Sequence, residues 1–288
     1  MLYSTTTDAL FSHFDEDTAL DMFKDAGFPA LDFSMFTSER VKAEGYREYA
    51  TQLRKKANER GIIFNQMHAP FGGGKEFYLT DTFPVLPRCL ELASLLGVKN
   101  MVIHPITDPR YYGHEEEHFE MNMKFYRALA PYAKEYGVKI AIENMWELHP
   151  IHRGIVDSDC ADPYEHIRYF DTLDDGEAFT LCLDLGHVAL CGREPEESIR
   201  ILGHDRLGVI HAHDVDYRSD LHTLPGVSLL NWEGICKALG EINYKGDFTL
   251  EADGFYRHLP KAVYPEACRL MGAVCRDMVR QIEENRVK

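Results

Sequence analysis

Short apolar runs alternate along the chain with longer stretches of amphipathic period, and this alternation predicts a series of strand–helix units. The spacing predicts strands over residues 2–6, 29–34, 62–68, 100–104, 139–143, 180–184, 207–211 and 248–251. Helices are predicted over 15–26, 44–60, 81–96, 115–136, 164–171, 195–203, 232–241 and 262–284. Asp15 or Asp17 can cap the first helix, and Gly61, Gly97 and Gly137 stand where later helices should stop. The strands are unbroken apolar runs such as KIAIE and LGVIH, the pattern of parallel strands covered on both faces.

About eight such units in 288 residues, with no break in composition, predict an α/β fold: a (β/α)8 barrel forming one domain over 1–288. An open doubly wound sheet is the rival, but no GxGxxG follows the first strand. The triplet Gly72–Gly74 can cradle a phosphate or simply form a loop, and it lacks the Lys-Ser/Thr of a phosphate-binding loop.

Polar residues at the predicted strand ends change the picture from fold to chemistry. They are His68 in QMHAP, His104 in VIHP, Glu143 in AIEN, Asp184 and His187 in LDLGH, His211 and His213 in VIHAHD, and Glu251 in LEAD. A strand end has no packing need for imidazole or carboxylate, and in a barrel the ends of successive strands converge on one point. Glu143, Asp184, His211 and Glu251 supply an oxygen-rich set with one nitrogen. That set suits one divalent ion, manganese first, with magnesium, cobalt or zinc as alternatives. Glu143 and Glu251 can also remove and return a proton beside a sugar carbonyl. Strand alternation turns His211 and His213 the same way, so spacing leaves open which binds metal. Asp214 is placed to orient whichever does. His68, His104, His187, His213, Arg218 and His222 are the candidates to face substrate, with Arg153 and Lys75 as further phosphate partners. Trp146 and Phe71 can pack a sugar face or serve as ordinary packing. His13, His114, His118 and His258 read as surface residues.

Charge and cysteine content narrow the partners. Acids outnumber bases 47 to 31, a net charge of −16, which opposes nucleic-acid binding. The run Arg54–Lys56 reads as a solvated helix face. None of the seven cysteines forms a CxxC pair, so they read as small core residues. No leader and no membrane span is visible, and the expectation is a soluble, cytoplasmic protein acting on a small molecule.

On the motifs H68AP, V102IHP, I142EN, L183DLGH, H211AHD, D220LHTLPG with N231W, and L250EAD, nearly the whole chain resembles the xylose isomerase-like TIM-barrel superfamily. The resemblance is to its sugar phosphate isomerase/epimerase group, with ketose 3-epimerases, hydroxypyruvate isomerase, inosose dehydratase and endonuclease IV as relatives. It implies a metal-dependent isomerase or epimerase of a sugar, sugar phosphate or related polyol, working through an enediolate. A dehydratase or lyase is the alternative, and a zinc-dependent abasic-site endonuclease is more remote. The resemblance puts the metal ligands on Glu143, Asp184, His211 and Glu251, selecting His211 over His213 through its H-x-x-D pattern. It puts the acid/base pair on the two glutamates and a substrate contact on His187. In the endonuclease branch, extra zinc ligands would fall on His68, His104, His187, Asp220 and His222. Ketose 3-epimerases carry a glutamate where this chain has His149, with Glu147 near, and an arginine where it has Tyr217, with Arg218 adjacent. Relatives are often dimers or tetramers, so a homo-oligomer is compatible with the resemblance.

Overall fold

Parallel strands buried on both faces need apolar side chains at consecutive positions, and this chain supplies them. The strand FTLCLD is buried at all six positions, and KIAIE at all but its first. The computed structural model describes residues 1–35, 39–71, 76, 78–107 and 111–287. Its strands are β1 (Tyr3–Thr6), β2 (Ala30–Ser34), β3 (Ile63–His68), β4 (Asn100–Ile103), β5 (Lys139–Glu143), β6 (Trp146–Leu148), β7 (Ile155–Asp157), β8 (Phe179–Asp184), β9 (Leu207–Ala212) and β10 (Phe248–Leu250). Eight of them close into a parallel barrel in the order β1-β10-β9-β8-β5-β4-β3-β2. This is the predicted (β/α)8 architecture. Bulges at Leu31/Asp32 and Leu181/Cys182 adjust the stagger that closure needs.

The covering helices bury the apolar stripes that the sequence shows. Glu16–Ala26 starts on Asp15, whose side chain accepts the Thr18 N–H, so Asp15 and not Asp17 is the cap. Leu86–Leu96 and Glu115–Tyr136 stop at Gly97 and Gly137, both in the left-handed region with φ of 88° and 65°. The helix predicted from residue 81 is regular only from Leu86. Tyr78–Thr82 is a π turn and Phe83–Val85 a 3-10 turn, and Pro84 and Pro87 break the α-helical hydrogen bonding between them.

The long loop after β5 holds structure that its sequence does not announce. β6 and β7 form an antiparallel hairpin pairing Trp146 with Asp157 and Leu148 with Ile155. Three-residue strands around a six-residue connection are too short to show a period. His118 corrects the expectation of a surface residue. It lies one helical turn from Asn122 on the inner face of Glu115–Tyr136, is 4% exposed, and places Nδ1 3.0 Å from Asp159.

The barrel interior divides into two halves. Val102, Ala141, Cys182 and Val209 make an apolar plug under the β4-β5-β8-β9 side. On the other side the filling is polar: Ser4 bonds Thr249, Thr249 donates to Gln66, and Gln66 donates to Asp32. That polar half is the floor of the site. Six of the seven cysteines are buried and all are free, as expected of core residues. Among the described residues no helix is long and apolar enough to cross a membrane.

Candidate metal centre

The C-terminal ends of β3, β4, β5, β8, β9 and β10 bring their polar residues to one place. Glu143, Asp184, His211 and Glu251 are buried, and their donor atoms lie within 4.8 Å of one another. His211 is the hub. Its Nδ1 stands 2.9 Å from Glu143 Oε1 and 2.9 Å from Glu251 Oε2. Its Nε2 faces the floor, 2.9 Å from Gln66 Nε2 and 3.6 Å from Asp32. The structure therefore groups His211, not His213, with the three carboxylates.

Beyond Cys182, whose thiol groups with Glu143 and His211, two histidine clusters adjoin this one. His68, His104 and Glu143 form the first, so Glu143 belongs to both. His187, His213, Asp220 and His222 form the second. The tautomers follow from the backbone. His68 Nδ1 donates to the Ala69 carbonyl, His187 Nδ1 to the Asn144 carbonyl, and His222 Nδ1 to the Glu251 carbonyl. Each ring thereby turns its Nε2 inward. His68 Nε2 meets His104 Nε2 at 3.0 Å, and both lie near Glu143 Oε2, at 3.5 and 2.9 Å. Glu143 Oε2 is buried without a well-formed hydrogen bond, as is Asp220 Oδ1. Buried acceptors held against acceptors are costly unless a proton or a cation lies between them. The donor sets thus fit divalent metal.

The electrostatics agree. Burial alone would raise the Glu143 and Glu251 carboxyls, but His211 outweighs it, joined by His104 at Glu143 and by His222 at Glu251, and both are held well below the ordinary range. Burial alone would lower His187, but Asp184, Asp220 and Glu143 raise it to about 10. Asp220 is held down by His187 and His222 against its own burial. Without a metal the centre keeps its charge balance by protonating histidines.

Several supporting residues escaped the sequence reading. Asn144 donates to the Asp184 carbonyl and accepts the Asp184 N–H at 2.7 Å, tying β5 to β8. Asp184 caps the short helix Leu185–Leu190 through the His187 N–H at 2.6 Å, which fixes His187 over the site. Asp32 and Gln66 could have been found as polar side chains inside buried apolar runs. Asp214 was expected to orient a histidine. It instead accepts five N–H groups, from Val215, Gly226, Ser228, Leu230 and Trp232 Nε1, and so folds the loop after β9.

A cavity of about 260 Å³ opens above the centre. His68, His104, Glu143, His187, Asp220, His222 and Glu251 border it, with Phe71 and Trp146 among the aromatic walls. His213 does not. It is fully buried, stacked 4.1 Å from His222, with Nε2 3.0 Å from Asp184. Arg218 also lies apart, exposed on a turn whose backbone N–H groups bind Asp216, and Arg153 is exposed at φ 59°. His149 stacks on His152 at 3.9 Å, outside the cavity wall. Tyr217 donates to Glu194. Gly72–Gly74 and Lys75 lie outside the described residues.

Comparison with known proteins agrees with this architecture. An uncharacterised protein of Methanocaldococcus jannaschii is 26% identical over 212 residues, covering 71% of this chain and 68% of its own. Among solved structures, a D-tagatose 3-epimerase-like protein superposes with a TM-score of 0.76 at 19% identity, over 99% of each chain. The 3-keto-D-glucoside 4-epimerase of E. coli superposes with a TM-score of 0.73 at 18% identity, over 96% of this chain and 99% of its own. The profile of one family spans residues 20–273, and on that match the chain belongs to the xylose isomerase-like TIM barrel family.

Proposed function

We propose that this protein is a divalent-metal-dependent isomerase or epimerase of a sugar, sugar phosphate or related polyol. One observation carries the reading. Glu143 and Glu251 reach the same imidazole at 2.9 Å from β5 and from the end of β10, and both border the cavity. Glu143, Asp184, His211 and Glu251 would hold one ion, for which manganese suits the oxygen-rich donors best. When bound, that ion supplies Lewis-acid polarisation of a carbonyl and its neighbouring hydroxyl.

The chain's own residues do the rest. Two other strands, β8 and β9, separate β5 from β10 in the barrel, so the glutamates approach a bound sugar from different sides. Each is held ionised by its neighbours, ready to take the proton next to the carbonyl. The second glutamate draws a proton from water in the cavity and passes it to the carbon from its own side, and the first gives the proton it took back to solvent, so the pair resets. Phe71 and Trp146 wall the cavity, and His187 and His222 offer polar contacts to hydroxyls. The named epimerases among the solved neighbours support the choice of substrate class. If the proton is followed by loss of a β-hydroxyl, the same geometry serves a dehydratase or lyase.

The two adjoining histidine clusters favour a second reading, a hydrolase with more than one metal. The net charge of −16 weighs against a nucleic-acid substrate for it. Metal content per chain and solvent-deuterium incorporation decide between them. About one manganese, with deuterium entering beside the carbonyl of a ketose or aldose, supports the isomerase. Two or three zinc ions and no exchange in any sugar or sugar phosphate would overturn it.

A further inference from the structure

A second cavity, of about 220 Å³, opens at the ends of β1 and β2. Thr7, Asp8, Ser12 and Ser34 supply its hydroxyls and one carboxylate, Arg40 one guanidinium, and Phe11, Phe33 and Met35 its apolar wall. It lies beside the metal centre. Ser34 is the register partner of His68, and the Met35 N–H donates to the His68 carbonyl at 3.0 Å. On the other flank the helix Asp8–Phe11 packs against the turn Asp253–Tyr256, and Asp253 Oδ1 is 3.3 Å from His222 Nδ1.

We infer that this cavity is a subsite for a second, neutral polyhydroxylated unit of the substrate, so that the preferred substrate is a glycoside or disaccharide. The inference rests on the sugar reading above. At about 220 Å³ the cavity is smaller than the roughly 300 Å³ of a whole small-molecule site, the size of one ring's subsite. The lining has the composition of a site for a neutral, hydroxylated ring: aromatic wall, few polar groups, and both donors and acceptors. Ser34 Oγ is buried without a hydrogen-bond partner among the described residues, and a ligand hydroxyl supplies one. Thr7 Oγ1 already accepts the Ser34 N–H, which fixes the floor.

Charge decides against a phosphate. Arg40 is shared with Glu16 at 3.5 Å and lies 4.8 Å over the Tyr49 ring. Asp8 stands in the same cavity. Two carboxylates beside one engaged guanidinium repel an anion and accept hydroxyls.

The test is calorimetric titration of the manganese-loaded protein with glucose, galactose and fructose and with maltose, cellobiose, lactose and sucrose. At least one disaccharide should bind tenfold more tightly than its component hexoses. Arg40→Met and, independently, Ser12→Trp, which fills the cavity from an exposed position, should bring the disaccharide-to-hexose ratio to about one. Unfolding temperatures check that both variants fold. Hexoses that bind while no disaccharide gains would overturn the subsite and leave the sugar reading standing. Equal losses for both ligand classes would overturn it as a mere structural effect. Arg40-dependent binding of inorganic phosphate would overturn it in favour of an anion site. If no sugar of either class binds, the sugar reading fails and the subsite with it.

Discussion

His213 Nε2 stands 3.0 Å from each carboxylate oxygen of Asp184, so one carboxylate joins the His211 cluster to the His187–Asp220–His222 cluster. Gly186 makes this contact possible. A Cβ built there overlaps the His213 ring, and no other residue fits without displacing it. Gly186→Ala should therefore leave the barrel folded, by circular dichroism, while weakening metal binding roughly 10- to 100-fold, as loss of a ligand's supporting contact does. Competition with a fluorescent chelator measures it. Unchanged affinity would show that His213 merely fills space.

Glu143→Gln and Glu251→Gln each keep side-chain volume and remove a proton carrier. Each should lower kcat about 10²- to 10⁴-fold. Solvent-deuterium exchange into substrate should fall in parallel, followed by proton NMR. A loss of only a few-fold in both variants would remove the two glutamates from the acid/base roles.

Removing metal should cost stability, because three buried carboxylates then rely on protonated imidazoles alone. Dialysis against a chelator should lower the unfolding temperature, and re-added manganese should restore it. At a hundredfold excess over Kd the gain is about 2.7 kcal/mol. A temperature that ignores both steps would argue that the cluster binds no ion in solution.

Asp214→Ala removes a buried acceptor from five N–H groups and leaves them unpaired. A loss of roughly 3 kcal/mol is expected, read from the urea midpoint. Asp214→Asn should retain part of it. Because this loop carries Asp220 and His222, activity should fall with stability.

How much of this was legible depended on whether a residue's signal was local. The barrel strands were legible because burial on both faces writes an unbroken apolar run, as in FTLCLD, and the convergence of Glu143, Asp184, His211 and Glu251 because each ends such a run. The β6–β7 hairpin was not, since three residues carry no period. Asp32 and Gln66 act across the barrel on His211, through partners 34 and 145 positions away from Gln66, which no local pattern encodes. His118 looked like a surface residue because its partner Asp159 comes from a loop 41 positions later. Asp214 was legible as important but not in role, because its five partners are mostly backbone groups.

Glu165 gives a pH dependence away from the metal centre. Its Oε2 accepts the Tyr111 hydroxyl and the Cys160 N–H, both at 2.8 Å, linking the loops after β4 and β5. Burial first, then the charges of Asp159 and Asp162, push its carboxyl up to about 7, against the opposing hydrogen bonds. The folded state therefore holds this proton more tightly than the unfolded chain, whose glutamate titrates near 4.5. Its contribution to stability is complete below that pH and is lost as the pH rises through about 7. Glu165→Gln keeps an oxygen acceptor for both donors and cannot ionise. It should unfold at higher urea than the parent at pH 8, by on the order of 1–2 kcal/mol after discounting for partial solvent contact, and should show almost no advantage at about pH 4, below the unfolded value. An effect of the same size at both pH values would mean that packing, not charge, sets the energy of this link.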